Sequence, residues 1–280
     1  MLYHNREVYI NEKWTVFSPP NGKIEPNDYQ FPFAFNLPVN LPGTFRGAHG
    51  SIHYFVRGHV HRSGLFSDKM GSVLPFTVAP IRDLNNTPEK QEPVTGTVER
   101  SLGVIGRKPV HVTVQLNKKG FVSGESVLIS AQLDNESGVN IDHCKVSLRK
   151  TVTFSTADRK RALALGVSAR SHIDMAFTDR TVVAKTRLGG VKKGAKVELP
   201  QVCLEIPADA PPTMEHCSLI DVAYTIKFEC VPSGLHRRYR IIMVFLIDIG
   251  SVQFRDVGQA VPLTANTVST NSENDQAQQS

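Results

Sequence analysis

The sequence predicts an all-β protein built as two successive units, and three observations carry that reading. Val127, Ile129, Ala131 and Leu133 alternate with Leu128, Ser130, Gln132 and Asp134. Ile220, Val222, Tyr224, Ile226, Phe228 and Cys230 alternate with Leu219, Asp221, Ala223, Thr225, Lys227 and Glu229. Successive strand side chains point to opposite faces, so each stretch offers one apolar face to a core and a wetter face to solvent. No stretch sustains helical periodicity beyond about a dozen residues, while 20 Gly and 17 Pro supply turns between short strands.

The first unit is expected in residues 1–96, the second in 97–262, and a polar tail in 263–280. Two β-prone pieces open the chain, Glu7-Val8-Tyr9-Ile10 and Trp14-Thr15-Val16-Phe17. In residues 29–37, Tyr29, Phe31, Phe33, Phe35 and Leu37 share one face, which predicts a strand against a packed core. Pro32 lacks a ladder donor and places that strand at an edge or bulge. Ile52, Tyr54, Val56, Gly58 and Val60 form the inward face of a long strand, with His53, His59 and His61 opposite. Residues 73–78 form another strand, edge-placed by Pro75. The polar, proline-containing residues 83–98 mark the boundary between units.

In the second unit, Lys118-Lys119-Gly120 and Ser123-Gly124-Glu125 are turns around the strand at 126–134. Further strands are expected at 110–116, 144–155, 172–187, 196–206, 218–231 and 240–249. Lys150 falls on an otherwise apolar face, so it is either at a rim or paired. Residues 156–171 read as a helical turn or a hairpin insert. Residues 239–247 are apolar on both faces, as in a central strand covered on each side. The tail is rich in Asn, Gln, Ser and Thr and has too little apolar surface to order itself.

Composition narrows the chemistry. At 280 residues, 40% hydrophobic and 21% charged, the chain is an ordinary globular sequence able to bury two cores. Cys144, Cys203, Cys217 and Cys230 are far apart and form no CxxC pair, which excludes a disulfide framework and predicts reduced, buried thiols. Residues 1–6 lead into no apolar signal core, and the longest apolar run, residues 241–247, is too short to span a bilayer. These features predict a soluble intracellular protein, whose sequons at Asn85 and Asn135 would remain unglycosylated.

No catalytic constellation is present. GxSxG, HExxH, EF-hand and GxGxxG patterns are missing. Residues 189–196, GGVKKGAK, fail as a phosphate loop because Ala195 stands where lysine is required. His53, His59 and His61 lack a nearby carboxylate or cysteine to complete a metal set. No cofactor, metal or catalytic residue is therefore expected.

A basic excess does stand out against a net charge of +6. Between residues 145 and 196, thirteen Lys and Arg face only Asp158, Asp174 and Asp179. One reading is a docking surface for phosphate, acidic peptide or anionic lipid; the other is a solvated face with charges pointing several ways. Lys192, Lys193 and Lys196 are the first candidates, Arg159, Lys160 and Arg161 the second. Arg237 and Arg238, at a hairpin, are a smaller cluster of the same kind.

Several motifs together resemble a known family. Lys119-Gly120-Phe121, Gly124-Glu125-Ser126 and the strand to Asn135 resemble the opening of the arrestin C-terminal domain. Cys217-Ser218-Leu219-Ile220 through Val222-Ala223-Tyr224 resembles a late strand of that domain. Phe31-Pro32-Phe33-Ala34-Phe35, Leu37-Pro38, Gly50-Ser51-Ile52 and Tyr54-Phe55-Val56 resemble the second half of the arrestin N-terminal domain. The pattern is most similar to the arrestin domain-containing proteins, or alpha-arrestins.

That resemblance implies two antiparallel immunoglobulin-like β-sandwiches, the first incomplete because only about thirty residues precede Phe31. It implies a non-enzymatic adaptor, cytoplasmic and peripherally associated with plasma membrane and endosomes. Its expected partners are cytoplasmic regions of membrane receptors or transporters, anionic lipid, and ubiquitin-ligase machinery; nucleic acid is not among them. A soluble signalling or redox scaffold, or a truncated product with little activity, are the alternatives. Pro19-Pro20 and Pro211-Pro212 are followed by Asn21-Gly22 and Thr213-Met214, so neither is the Pro-Pro-x-Tyr motif by which the family recruits ligases.

Overall fold

The computed structural model describes residues 5–60, 70–79, 81–103, 106–155 and 176–255. Among them there is no α-helix, only short 3₁₀ turns such as Gly234–Arg238. The first part of the chain holds β1 (Phe45–Arg46), β2 (Ser51–Ile52), β3 (Tyr54–Val60) and β4 (Met70–Phe76). The rest builds β5 (Val94–Leu102), β6 (Lys108–Leu116), β7 (Gly120–Val122), β8 (Ser126–Asn135) and β9 (Ile141–Ser155). It continues through β10 (Ala176–Leu188), β11 (Ala195–Glu205), β12 (Ile220–Pro232) and β13 (Ile241–Gly250).

The strands from β5 onward form two packed sheets. One has five strands in the order β10-β9-β12-β13-β7, the other four in the order β11-β8-β6-β5. Neighbours are antiparallel except β13 and β7, which run parallel at Asp248↔Gly120. The expected alternation is realised: Val127, Ile129, Ala131 and Leu133 are buried on β8, and Ile220, Val222, Tyr224, Ile226, Phe228 and Cys230 are buried on β12. They meet Val110, Val112 and Val114 of β6 and Val146 and Leu148 of β9 in one core. Each large apolar side chain withdrawn from water contributes roughly 1.5–3 kcal/mol. Gly96 lets β5 close over the five-stranded sheet, because a Cβ there would collide with Met243 and Phe245.

The turns obey their local chemistry. Gly124 sits at φ +87, where glycine has no steric penalty. Glu125 holds that turn by accepting from Val122 N–H at 3.0 Å and from Lys118 Nζ at 2.9 Å. Buried Asn135 ties the far end, donating to the carbonyls of Val139 and Lys192 at 2.9 and 3.1 Å. Tyr224 is fully buried, and its hydroxyl donates to Pro211 C=O at 2.8 Å.

Several expectations are corrected. Residues 7–10, 14–17 and 29–37 form no strand. Instead of facing a core, Tyr29, Phe31 and Phe33 are 38–54% exposed. Tyr29 and Phe31 stack on each other and on Phe17, with Phe17 and Phe31 centroids 4.9 Å apart, while Phe33 stacks on Phe35. No strand among the described residues pairs with this segment, so its alternation has no sheet to act in. The long strand at 52–60 is broken at His53; Ile52 and Tyr54 are buried, while Val60 is exposed. Gly120 opens β7 rather than ending a turn.

Two further corrections bear on the surface. The strand β13 is covered on one face only: Ile242, Val244 and Leu246 are 45%, 57% and 66% exposed. Cys203 is exposed, because it lies on the outward face of β11, while Cys144, Cys217 and Cys230 are buried. Lys150 is half-buried and forms no ion pair among the described residues. Residues 156–171, including Arg159, Lys160 and Arg161, and the tail from 263 lie outside the described residues, as does His61.

Candidate docking surface for anionic partners

The residues 189–194, between β10 and β11, pack beside the β12–β13 connection at one end of the sandwich. Asn140 joins them: its side-chain oxygen accepts from Lys193 N–H at 2.9 Å, and its carbonyl accepts from Ser233 N–H at 2.8 Å. Asp142 anchors the second loop through Arg237 Nη2 at 3.1 Å. The hydrogen bond with His143, and then Arg237, holds the Asp142 carboxyl below the usual carboxylate range. An open cleft of about 530 Å³ lies here, lined by Lys108, Glu136, Lys193 and His236 among others.

The structure therefore brings Lys192 and Lys193 together with Arg237 and Arg238, which the sequence separates by more than forty residues. Their availability differs. Lys192 and Lys193 are exposed and form no ion pair among the described residues. Lys196, on β11, lies 3.6 Å from Asp134. Arg237 is held by Asp142, and the Arg238 guanidinium lies 4.8 Å from the centre of the Tyr239 ring. These contacts leave Lys192 and Lys193 as the most open charges of the loop pair.

The outer face of the five-stranded sheet continues this surface. Residues opposite one another across neighbouring strands share a face. Register places Arg187, Lys145, Glu229 and Ile242 in one row across β10, β9, β12 and β13. The next row is Lys185, Ser147, Lys227 and Val244, and the third is Val182, Arg149, Thr225 and Leu246. Cations thus gather on β10 and β9, and exposed aliphatics on β13. The two edges of this arrangement are about 14 Å apart at the usual strand spacing.

The middle of the face is electrically settled. Glu229, 6% exposed, receives Lys227 Nζ and Arg240 Nη1, each at 2.8 Å. Burial alone would raise its carboxyl pKa, but those two hydrogen bonds outweigh burial and hold it below the usual range. Lys145, Lys185 and Arg187 are exposed and have no acidic partner among the described residues. Arg149 donates from Nε to Ser147 Oγ at 3.3 Å. The face can therefore offer uncompensated positive charge beside bare apolar surface.

This face was not singled out from sequence. Its cations belong to the basic excess, but the signal lay in period-two spacing, 145-149 and 185-187, read across strands rather than in adjacent runs. Among the described residues no group of three or more His, Cys, Asp or Glu is placed to hold a metal ion.

The chain matches two family models. Residues 1–85 match that of the arrestin (or S-antigen) N-terminal domain, and residues 106–254 match that of the C-terminal domain. The chain belongs to the arrestin family. It is similar to arrestin domain-containing protein 1 of Homo sapiens, 24% identical over 223 residues, covering 79% of this chain and 47% of that protein. It is likewise similar to arrestin domain-containing protein 4 of Homo sapiens, 28% identical over 225 residues, 78% of this chain and 49% of the other. Arrestin domain-containing protein 17 of Caenorhabditis elegans is 28% identical over 205 residues, with coverage of 72% and 44%. The chain spans about half the length of the curated relatives it matches. Arrestin-domain proteins are non-enzymatic adaptors. No helix among the described residues is long and apolar enough to cross a membrane.

Proposed function

We propose that this arrestin-family chain is an adaptor that docks on the anionic cytoplasmic surface of membranes and there engages cytoplasmic regions of receptors or transporters, steering them into endocytosis and ubiquitin-linked sorting. The observation that carries the docking step is the outer sheet face, where Lys145, Lys185, Arg187 and Arg149 flank exposed Ile242, Val244 and Leu246. An anionic bilayer satisfies both halves at once: lipid phosphates meet the cations, and the headgroup–acyl boundary receives the aliphatics. Lys192 and Lys193 extend the basic surface around the sandwich end. The cargo and sorting roles rest on family membership. So does ubiquitin-ligase recruitment, since neither Pro-Pro pair is followed by the required tyrosine.

Vesicle co-sedimentation tests the docking step. Each Lys or Arg near an anionic membrane contributes about 1 kcal/mol, and the attraction decays within roughly 8 Å at physiological salt. The quadruple variant Lys145→Ala, Arg149→Ala, Lys185→Ala and Arg187→Ala should bind phosphatidylserine vesicles at least about tenfold more weakly than the parent. Parent binding should fall as salt rises. Equal binding by parent and variant at low and at physiological salt contradicts the proposal.

A further inference from the structure

Two of the four thiols meet in the core. Cys144 of β9 and Cys230 of β12 are direct register partners on the inner face of the five-stranded sheet. Both are fully buried, and their Sγ atoms lie 3.1 Å apart. They are 86 residues apart in sequence, so only the fold brings them together. Directly opposed residues of antiparallel strands have Cα separations of about 4.5–5.5 Å, inside the 4.4–6.8 Å range that a disulfide accepts. A bond between them needs no change of register.

We propose that Cys144 and Cys230 form a reversible redox modification site, a cross-strand disulfide whose oxidant is a low-molecular-weight disulfide such as oxidised glutathione. The thiolate of one cysteine attacks the small disulfide, forming a mixed disulfide and expelling one glutathione thiolate. The second cysteine then gives up its proton and attacks the protein sulfur, expelling the other. Two protein thiols lose two electrons and two protons, and one oxidised glutathione becomes two reduced glutathiones.

Burial makes the step conditional. Contact with Cys144 and withdrawal from water both push the Cys230 thiol well above its ordinary range, which suppresses the reactive thiolate. The closed sandwich also excludes a tripeptide disulfide. The bond therefore forms when β9 and β12 part transiently or before they have packed, and reclosure then seals it. It ties together two adjacent inner strands of the docking sheet. Exposed Cys203, by contrast, is open to the oxidant and has no neighbouring thiol to finish the exchange.

The test uses the full chain with oxidised glutathione, followed by alkylation, digestion and mass spectrometry without reductant. The expected product is a peptide pair joining Cys144 to Cys230, lost on reduction and retained in Cys203→Ser. It should form faster at urea concentrations below the unfolding transition. The oxidised chain should melt roughly 5 °C or more above the reduced one, since the link closes a long loop in the unfolded state. The same mapping on wild-type chain refolded from urea in oxidised glutathione requires no variant to fold. A failure to find the Cys144–Cys230 link under both conditions overturns the proposal. Linkage at an unchanged rate with added urea overturns the gating by burial.

Discussion

Arg82 and Asp248, 166 residues apart, meet where the first part of the chain joins the sandwich: Arg82 Nη2 donates to Asp248 Oδ1 at 3.0 Å. Lys90 Nζ takes the other carboxylate oxygen at 2.7 Å, and Arg82 also pairs with Glu215. Arg82 and Asp248 are only 14% and 12% exposed. Asp248→Ala would leave two cations without their shared acid in a poorly hydrated site, and breaking such a pair costs about 3 kcal/mol or more. Urea denaturation should show that loss, with Arg82→Ala a smaller one because Lys90 still compensates Asp248.

Tyr224 fills the sandwich core and also spends its hydroxyl on Pro211. Tyr224→Ala should destabilise by about 3–5 kcal/mol, as truncation of a large buried aromatic does. Tyr224→Phe removes only one hydrogen bond and should cost about 1 kcal/mol. Denaturation of both variants separates the ring from the hydroxyl; equal losses would contradict the division.

Glu229 gives the sheet face an acid dependence. Its folded carboxyl titrates below its unfolded value, near 4.3 for a free glutamate. The unfolded chain therefore binds a proton first as pH falls. The stabilisation is present above about pH 4.3 and is lost as pH drops through the lower, folded value. A Glu229→Gln variant should be less stable at neutral pH, and its stability should fall less steeply below pH 4.3. A parallel fall for both proteins would mean that Glu229 does not contribute.

The first part of the chain should behave differently from the sandwich. Phe17, Tyr29, Phe31 and Phe33 are exposed and, among the described residues, their rings stack on one another or on Phe35. Brief chymotrypsin treatment of the intact chain should cut within residues 14–35 before it cuts in β8 or β12. Resistance of that segment would show that it is protected in solution, most simply by association between copies.

Much of the sandwich was legible because its alternation is uninterrupted. β8 and β12 each place one apolar residue per two positions against a facing sheet, and both lie where the pattern predicts. The same pattern misled at residues 29–37, since alternation reports how a strand would face a core and not that a partner strand exists. β13 misled in another way. A run apolar on both faces normally means coverage on both, yet here its outer aliphatics are bare, and this departure marks the candidate surface. The loop cations at Lys192 and Lys193 were legible as a run. Lys145, Arg149, Lys185 and Arg187 were not, because their grouping depends on the register between β9 and β10, which no local pattern encodes.

Fluorescence from a tryptophan on the apolar stripe tests the docking account most directly. In a Trp14→Phe background, which removes the native indole, Val244→Trp reports from the middle of β13's outer face. The account predicts a blue shift with phosphatidylserine vesicles, quenching by lipids brominated near the headgroup, and neither effect with neutral vesicles. Co-sedimentation with anionic vesicles while the Val244→Trp emission stays unshifted and unquenched would contradict it, because the chain would then be binding through some other surface.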